Sequence, residues 1–290
     1  MAMVERTRNG MLAGLLAADA HADFLTPPGA AALCPADGVS WRVFANPVAL
    51  FVGGVAAVIL ELAEPRVRTG VWQFSDFRRD PAGRMRRTGM AALVTVYAAR
   101  ERAEPMIEQV NRMHAGVRGV TPGGEAFCAN DPELLDWVQA TASFGFVEAY
   151  HAYCRALSAE EKDRFYAEGA VPAALYGARN APGDVSGLEA LFARMLPKLE
   201  PSPIIGEFLA IVAAAPLLPR LLRPLQRLLI RAALDILPPP IRARLDLGQC
   251  RRLAPWQGLC VRGLGMAMER IELASLPPMQ ARRRLGLPQE

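Results

Sequence analysis

The chain has 290 residues (31.4 kDa), of which 52% are hydrophobic, with a mean hydropathy of +0.14 and a formal charge of +4. That length makes one large domain or two small ones and buries roughly 75% of the surface that the unfolded chain exposes. The charge is modest, the basic residues are all arginine except Lys162 and Lys198, and no basic run is interleaved with aromatics, which argues against a nucleic-acid partner.

The N-terminal "MAMVERTRNGMLAGLLAADAHA" resembles a signal peptide only faintly, because its apolar core is short and interrupted by Asp19. Residues 1–40 are expected to form a loosely ordered segment and 41–290 a helical domain. Two apolar runs follow, "VALFVGGVAAVIL" (48–60) and, later, "FLAIVAAAPLLP" (208–219). Both fall short of the about 20 residues of a spanning helix, and both are expected as buried core helices. "GRMRRTGMAALVTVY" (83–97) reads as a helix. "AARERAEP" links it to the next helix, with Pro105 expected in the first turn. That helix, "MIEQVNRMHAGVRG", has a seam of Ala103, Ile107, Val110, His114 and Val117 at helical spacing, apolar except for the histidine.

"NDPELLDWVQ" places Asp131 as N-cap, Pro132 at the first helical position and Glu133 in the first turn, and the helix runs to about Cys154. "SAEE" is a capping box, Ser158 with Glu161. In "PRLLRPLQRLLIRAAL", Arg220, Arg223, Arg227 and Arg231 recur at steps of three and four opposite leucines, with a restart expected at Pro224. That face is either an ordinary solvated helix side or a contact with an anionic membrane surface. Strand signals are nearly absent, breaks fall at "TPPG", "VTPGG", "NAPGD", "PSP" and "LPPP", and no internal repeat is seen. The pattern predicts one all-α domain of about ten helices.

The five cysteines (Cys34, Cys128, Cys154, Cys250, Cys260) form no CxxC pair. Reduced thiols are expected, in a cytoplasmic setting with peripheral membrane contact as a further option. Nucleophile-elbow, P-loop, HExxH and dinucleotide-binding motifs are missing. Of the three histidines, His21 lies in the N-terminal segment and His151 late in a helix.

His114 stands out because Gly116 and Gly119 follow it and leave room for a planar group. A lone histidine projecting from a helix into an apolar cavity is the usual proximal ligand of haem. The plainer reading is a hydrogen-bonded core histidine. In "RMRRT", Arg84 and Thr88 are four apart and share a helix face. They suit a clamp on a carboxylate such as a haem propionate, or else belong to a solvated cluster with Arg86 and Arg87.

The order of five pieces resembles the oxygenase family that includes MpaB of mycophenolic-acid biosynthesis and the latex-clearing rubber oxygenases. They are "VGGVAAVILELAEP" (52–65), "DPAGRMRRT" (80–88), "MHAGVRG" (113–119), "FCANDPELLDWVQAT" (127–141) and "LPPPIRARLDLG" (237–248). The resemblance covers residues 40–250. It implies an all-α fold with globin-like packing around a buried cofactor pocket that holds haem b. It also implies dioxygen chemistry that cleaves a carbon–carbon double bond of an isoprenoid or other polyene.

By motif, His114 would be the proximal iron ligand, and Arg84, Thr88, Arg87 and Gly116 would hold the haem. Arg87 stands where the rubber-cleaving branch has a lysine that closes the distal side, and a guanidinium does not deprotonate to ligate iron. Glu64-Pro65 stands where many members have His-Pro, and Gln139 where several have histidine. Glu64 or Glu61 would then serve as the base that takes an allylic proton. The rival from another class is a non-catalytic helical protein that binds a lipid or isoprenoid at a membrane. A third reading is a haem peroxidase or dehydrogenase on the same scaffold.

Overall fold

A computed structural model describes residues 22–249, 253–270 and 274–288. Proline decides where many of the helices begin, since its fixed φ and missing N–H suit a first turn. After α1 (Val39–Ala45), the Asn46 side chain accepts the N–H groups of Val48 and Ala49 and Pro47 opens α2 (Pro47–Ala63). Glu64 and Pro65 start α3 (Pro65–Phe74) in the same way, and Asp80 and Pro81 start α4 (Pro81–Tyr97). Two residues later α5 (Arg100–Ala115) begins, earlier than expected, so that Pro105 lies inside the helix rather than in its first turn.

A hairpin follows, of β1 (Arg118–Val120) and β2 (Ala126–Cys128), antiparallel with Gly119 opposite Phe127. The sequence pattern gave no sign of it, because three-residue strands are too short to show alternation. The helix α6 (Pro132–Tyr153) is capped by Asp131, and α7 (Ala159–Glu168) carries the Ser158–Glu161 capping box, both as expected. Short α8 (Ala170–Tyr176) and α9 (Val185–Met195) lead to α10 (Pro203–Ala214), α11 (Arg223–Asp235) and α12 (Pro239–Arg244). The last described helices are α13 (Pro255–Met268) and α14 (Pro277–Arg284). The described residues are therefore all-α apart from the hairpin, and proline starts divide them more finely than the expected ten or so helices.

α2 is apolar on every side and sits at the centre, as such helices do. It runs antiparallel to α6: Phe44, just before α2, packs at a tilt against Phe146, Gly53 meets Gly145, and Arg66, just after α2, reaches Glu133. The crossing is close because both helices are glycine there. A Cβ on Gly145 would lie 2.3 Å from the Gly53 carbonyl oxygen. Around this pair pack Leu191, Phe208, Leu229 and Val261. No single helix among the described residues is long and apolar enough to cross a membrane, and α1 with α2 meets that test only as a pair bent by 93°. The second apolar run becomes α10 and ends at Ala214, ahead of Pro216.

Residues 22–38, part of the segment expected to be loose, are packed. Phe24 and Cys34 are buried against Met90, Leu93, Tyr97 and Ala281. Arg284 holds them from α14, donating to the carbonyls of Ala30 (2.9 Å), Phe24 (2.8 Å) and Tyr97 (2.7 Å). A guanidinium shared among three backbone oxygens replaces the regular structure this segment lacks.

The four arginines around α11 do not form one exposed face. Arg220 and Arg227 are exposed, whereas Arg223 and Arg231 are half-buried. The reason is that α11 is partly interior: Leu229, Ala232 and Ala233 are buried, and the buried Gln226 amide donates to the carbonyls of Val212 and Ala215.

Candidate functional site

The candidate residues lie on three helices. α4 starts where the Asp80 side chain accepts the Gly83 N–H at 2.9 Å, which fixes the first turn that carries Arg84. One turn on, the Arg84 guanidinium donates to the Thr88 hydroxyl, and that hydroxyl also donates to the Arg84 carbonyl at 3.0 Å. The predicted i, i+4 pair thus forms. Arg86, Arg87, Thr88 and Gly89 are all exposed. Four consecutive residues cover about 300° of the helix surface, so most of this part of α4 is open. A Cβ added at Gly89 would meet nothing within 4 Å. Further along, Met90, Leu93, Val96 and Tyr97 are buried and anchor the helix.

His114 sits in the last turn of α5, half-buried, with Ala103 and Ile107 of its seam buried below it. Its Nδ1 is buried and has no hydrogen-bond partner. The plainer reading, a hydrogen-bonded core histidine, is therefore not what the ring shows at Nδ1. Burial, and next the positive charge of Arg84, hold its pKa below the ordinary value, so the imidazole is neutral at pH 7. A neutral ring is the form that ligates a metal.

Glu61 completes the group from α2. It is half-buried, and it has no hydrogen-bond or ion-pair partner among the described residues. Burial raises its pKa from 4.5 to about 7, and the nearby Arg84 charge opposes that rise without cancelling it. Arg84 therefore lies electrostatically between Glu61 and His114, acting on both.

Other expected site residues are used elsewhere. Glu64 is fully engaged: one oxygen caps α3 by accepting the Val67 N–H (2.8 Å) and the other accepts from Arg66 Nε (2.7 Å). Arg66 continues to Glu133 at 2.8 Å. A carboxylate held in this way serves as a cap and ion pair, not as a free base. Arg87 pairs with Asp80 at 3.3 Å, on the outside of α4. Gly116 caps α5 and is open, a Cβ there meeting only the Met113 carbonyl oxygen at 3.5 Å. Gly119 does not leave room for a planar group, because a Cβ there would lie 3.0 Å from the Phe127 ring that covers it. Gln139 donates to Ser143 at 3.4 Å. His151 accepts the Leu157 N–H at 3.0 Å, and His21 and Cys250 lie outside the described residues. Cys34, Cys128, Cys154 and Cys260 are free thiols. No cluster of three His, Cys, Asp or Glu suited to a metal ion occurs among the described residues.

Two positioning residues were not visible in the sequence. The Asn111 amide donates to the Leu175 carbonyl of α8 (2.8 Å), and Asn130 donates to the Asn111 carbonyl (3.1 Å). Together they tie down the turn of α5 that carries His114. Polar residues in a helical pattern read as a solvent face, and only the fold shows what lies opposite them.

The residues present fit a haem by three observations: an unpartnered, neutral imidazole, an arginine–threonine pair suited to a carboxylate, and glycines beside each that leave space. Among known proteins, the family model described as "ER-bound oxygenase mpaB/B'/Rubber oxygenase, catalytic domain" matches residues 41–270. No curated protein and no solved structure matches the chain.

Proposed function

Because the chain belongs to the mpaB/rubber oxygenase catalytic-domain family, we propose that it is a haem b-dependent oxygenase that cleaves a carbon–carbon double bond of an isoprenoid or similar long apolar substrate. The observation that supports this reading best is His114, whose buried Nδ1 lacks a partner in the field of Arg84. When bound, haem would supply the activation of dioxygen, which no side chain provides.

The chain's own residues have distinct tasks. His114 is kept neutral by burial and by Arg84, so its ring offers a lone pair rather than a proton. Arg84 and Thr88, joined to one another, present a cation and a hydroxyl to a carboxylate. Glu61, unpaired and titrating near 7, accepts a proton from an allylic carbon of the substrate and holds it on its carboxylate. A base that must act at neutral pH is most effective with a pKa near that pH, which burial on α2 provides.

The test is incubation of the purified protein with a panel of polyenes under isotopically labelled dioxygen. Two carbonyl products carrying the label are expected. Haem without cleavage of any polyene would favour a peroxidase or dehydrogenase. Co-purifying lipid with no iron would favour a non-catalytic binding protein.

A further inference from the structure

α13 exposes an apolar face that the catalytic reading does not use. Trp256, Leu259 and Met266 are exposed by 63%, 70% and 49%, and Cys260 and Gly263 lie between them on the same side. Their spacing of three and four residues makes one continuous stripe. The opposite side fixes the helix in this orientation. Val261 is fully buried, and Gly265 lies so close to α6 that a Cβ would sit 2.0 Å from the Tyr153 carbonyl oxygen. The buried Asn46 amide donates to the Gly265 carbonyl at 2.9 Å. The tryptophan face cannot roll inward without losing these contacts, so it points outward.

Charge indicates what covers it. α13 contains Arg262 and no acidic residue, and both Arg262 and Arg270 are exposed with no ion-pair partner among the described residues. In the sequence Arg251 and Arg252 precede the helix. A second copy of the chain would pair the face with itself and bring Arg262 towards its own counterpart, and the exposed carboxylate that follows the helix, Glu269, already accepts the Tyr150 hydroxyl. An anionic lipid surface meets both requirements: tryptophan settles at the level of the headgroups, the leucine and methionine enter the acyl boundary, and the arginines meet phosphate.

We propose that α13 docks the protein flat on an anionic membrane through Trp256, Leu259 and Met266, with Arg262 and Arg270 contacting the headgroups. This inference goes beyond the oxygenase reading and does not depend on haem.

Co-sedimentation of the full chain with phosphatidylcholine vesicles, with and without phosphatidylglycerol, tests it. The wild type is expected to bind the anionic vesicles and to be released by high salt. Trp256→Ser combined with Leu259→Ser is expected to weaken binding by roughly tenfold or more, with unchanged helical circular dichroism and melting temperature. Arg262→Glu with Arg270→Glu is expected to remove the preference for the anionic lipid. Absence of wild-type binding, or binding equally strong in the serine variant, overturns the proposal. So does a dimer of the wild type that the serine variant abolishes, which would make the face a self-association surface.

Discussion

Replacing Glu61 with glutamine is expected to stabilise the haem-free protein at pH 9 by about 3 kcal/mol and to change its stability little near pH 4. The carboxyl titrates at about 7 in the folded protein against 4.5 as an ordinary glutamate. Between those values the folded state binds more protons than the unfolded state, so the Glu61 contribution to stability falls as pH rises through that window. Glutamine mimics the neutral carboxyl and removes the loss. His114 has the opposite sign: its lowered pKa makes stability fall as pH drops below about 6.5. The difference between wild-type and Glu61→Gln unfolding curves, measured from pH 4 to 9, isolates the glutamate. The same variant is expected to cleave substrate about 100-fold more slowly and to lose the rise of rate with pH around 7, while still binding haem. A variant more stable at high pH yet fully active would leave Glu61 buried without a catalytic task.

Gly145→Ala is expected to lower stability by about 3 kcal/mol or more, although alanine is the better helix former. The new methyl group would lie 2.3 Å from the Gly53 carbonyl oxygen and 3.2 Å from the Ala57 nitrogen. Both are backbone atoms of α2, which have no side-chain rotation by which to yield. Relief requires α2 and α6 to separate, and that displaces Glu61, two turns further along α2. Gly54→Ala is the control. Its methyl group would meet only the edge of the Phe146 ring, at 3.9 Å, so a gain of up to about 1 kcal/mol is expected from helix propensity. Denaturant unfolding of the two variants, one at the Gly53–Gly145 crossing and one beside it on α2, separates close packing from propensity.

Much of the fold was legible because it depends on local rules. The Asp131 and Ser158 caps, the proline starts and the all-round apolarity of α2 are properties of short windows. The i, i+4 relation of Arg84 and Thr88 was legible for the same reason. What the sequence could not separate was long-range. Glu61 and Glu64 stand three residues apart in one acidic motif, yet α2 ends between them. Glu64 then becomes a cap that Arg66 and, through it, Glu133 hold in place, while Glu61 stays inside the helix without a partner. Gly119 read as free space until the hairpin placed Phe127 over it. Residues 22–38 read as loose because their order comes from Arg284, some 250 positions away in the chain.

The central claim is that His114 is the protein ligand of a haem iron, and an absorption spectrum with iron quantified tests it most directly. The protein purified from haem-supplied cells is expected to show a Soret band and about one iron per chain. His114→Ala, with its helical circular dichroism retained, is expected to lose both. A wild type without the band, or a His114→Ala protein that keeps it unchanged, would contradict the account.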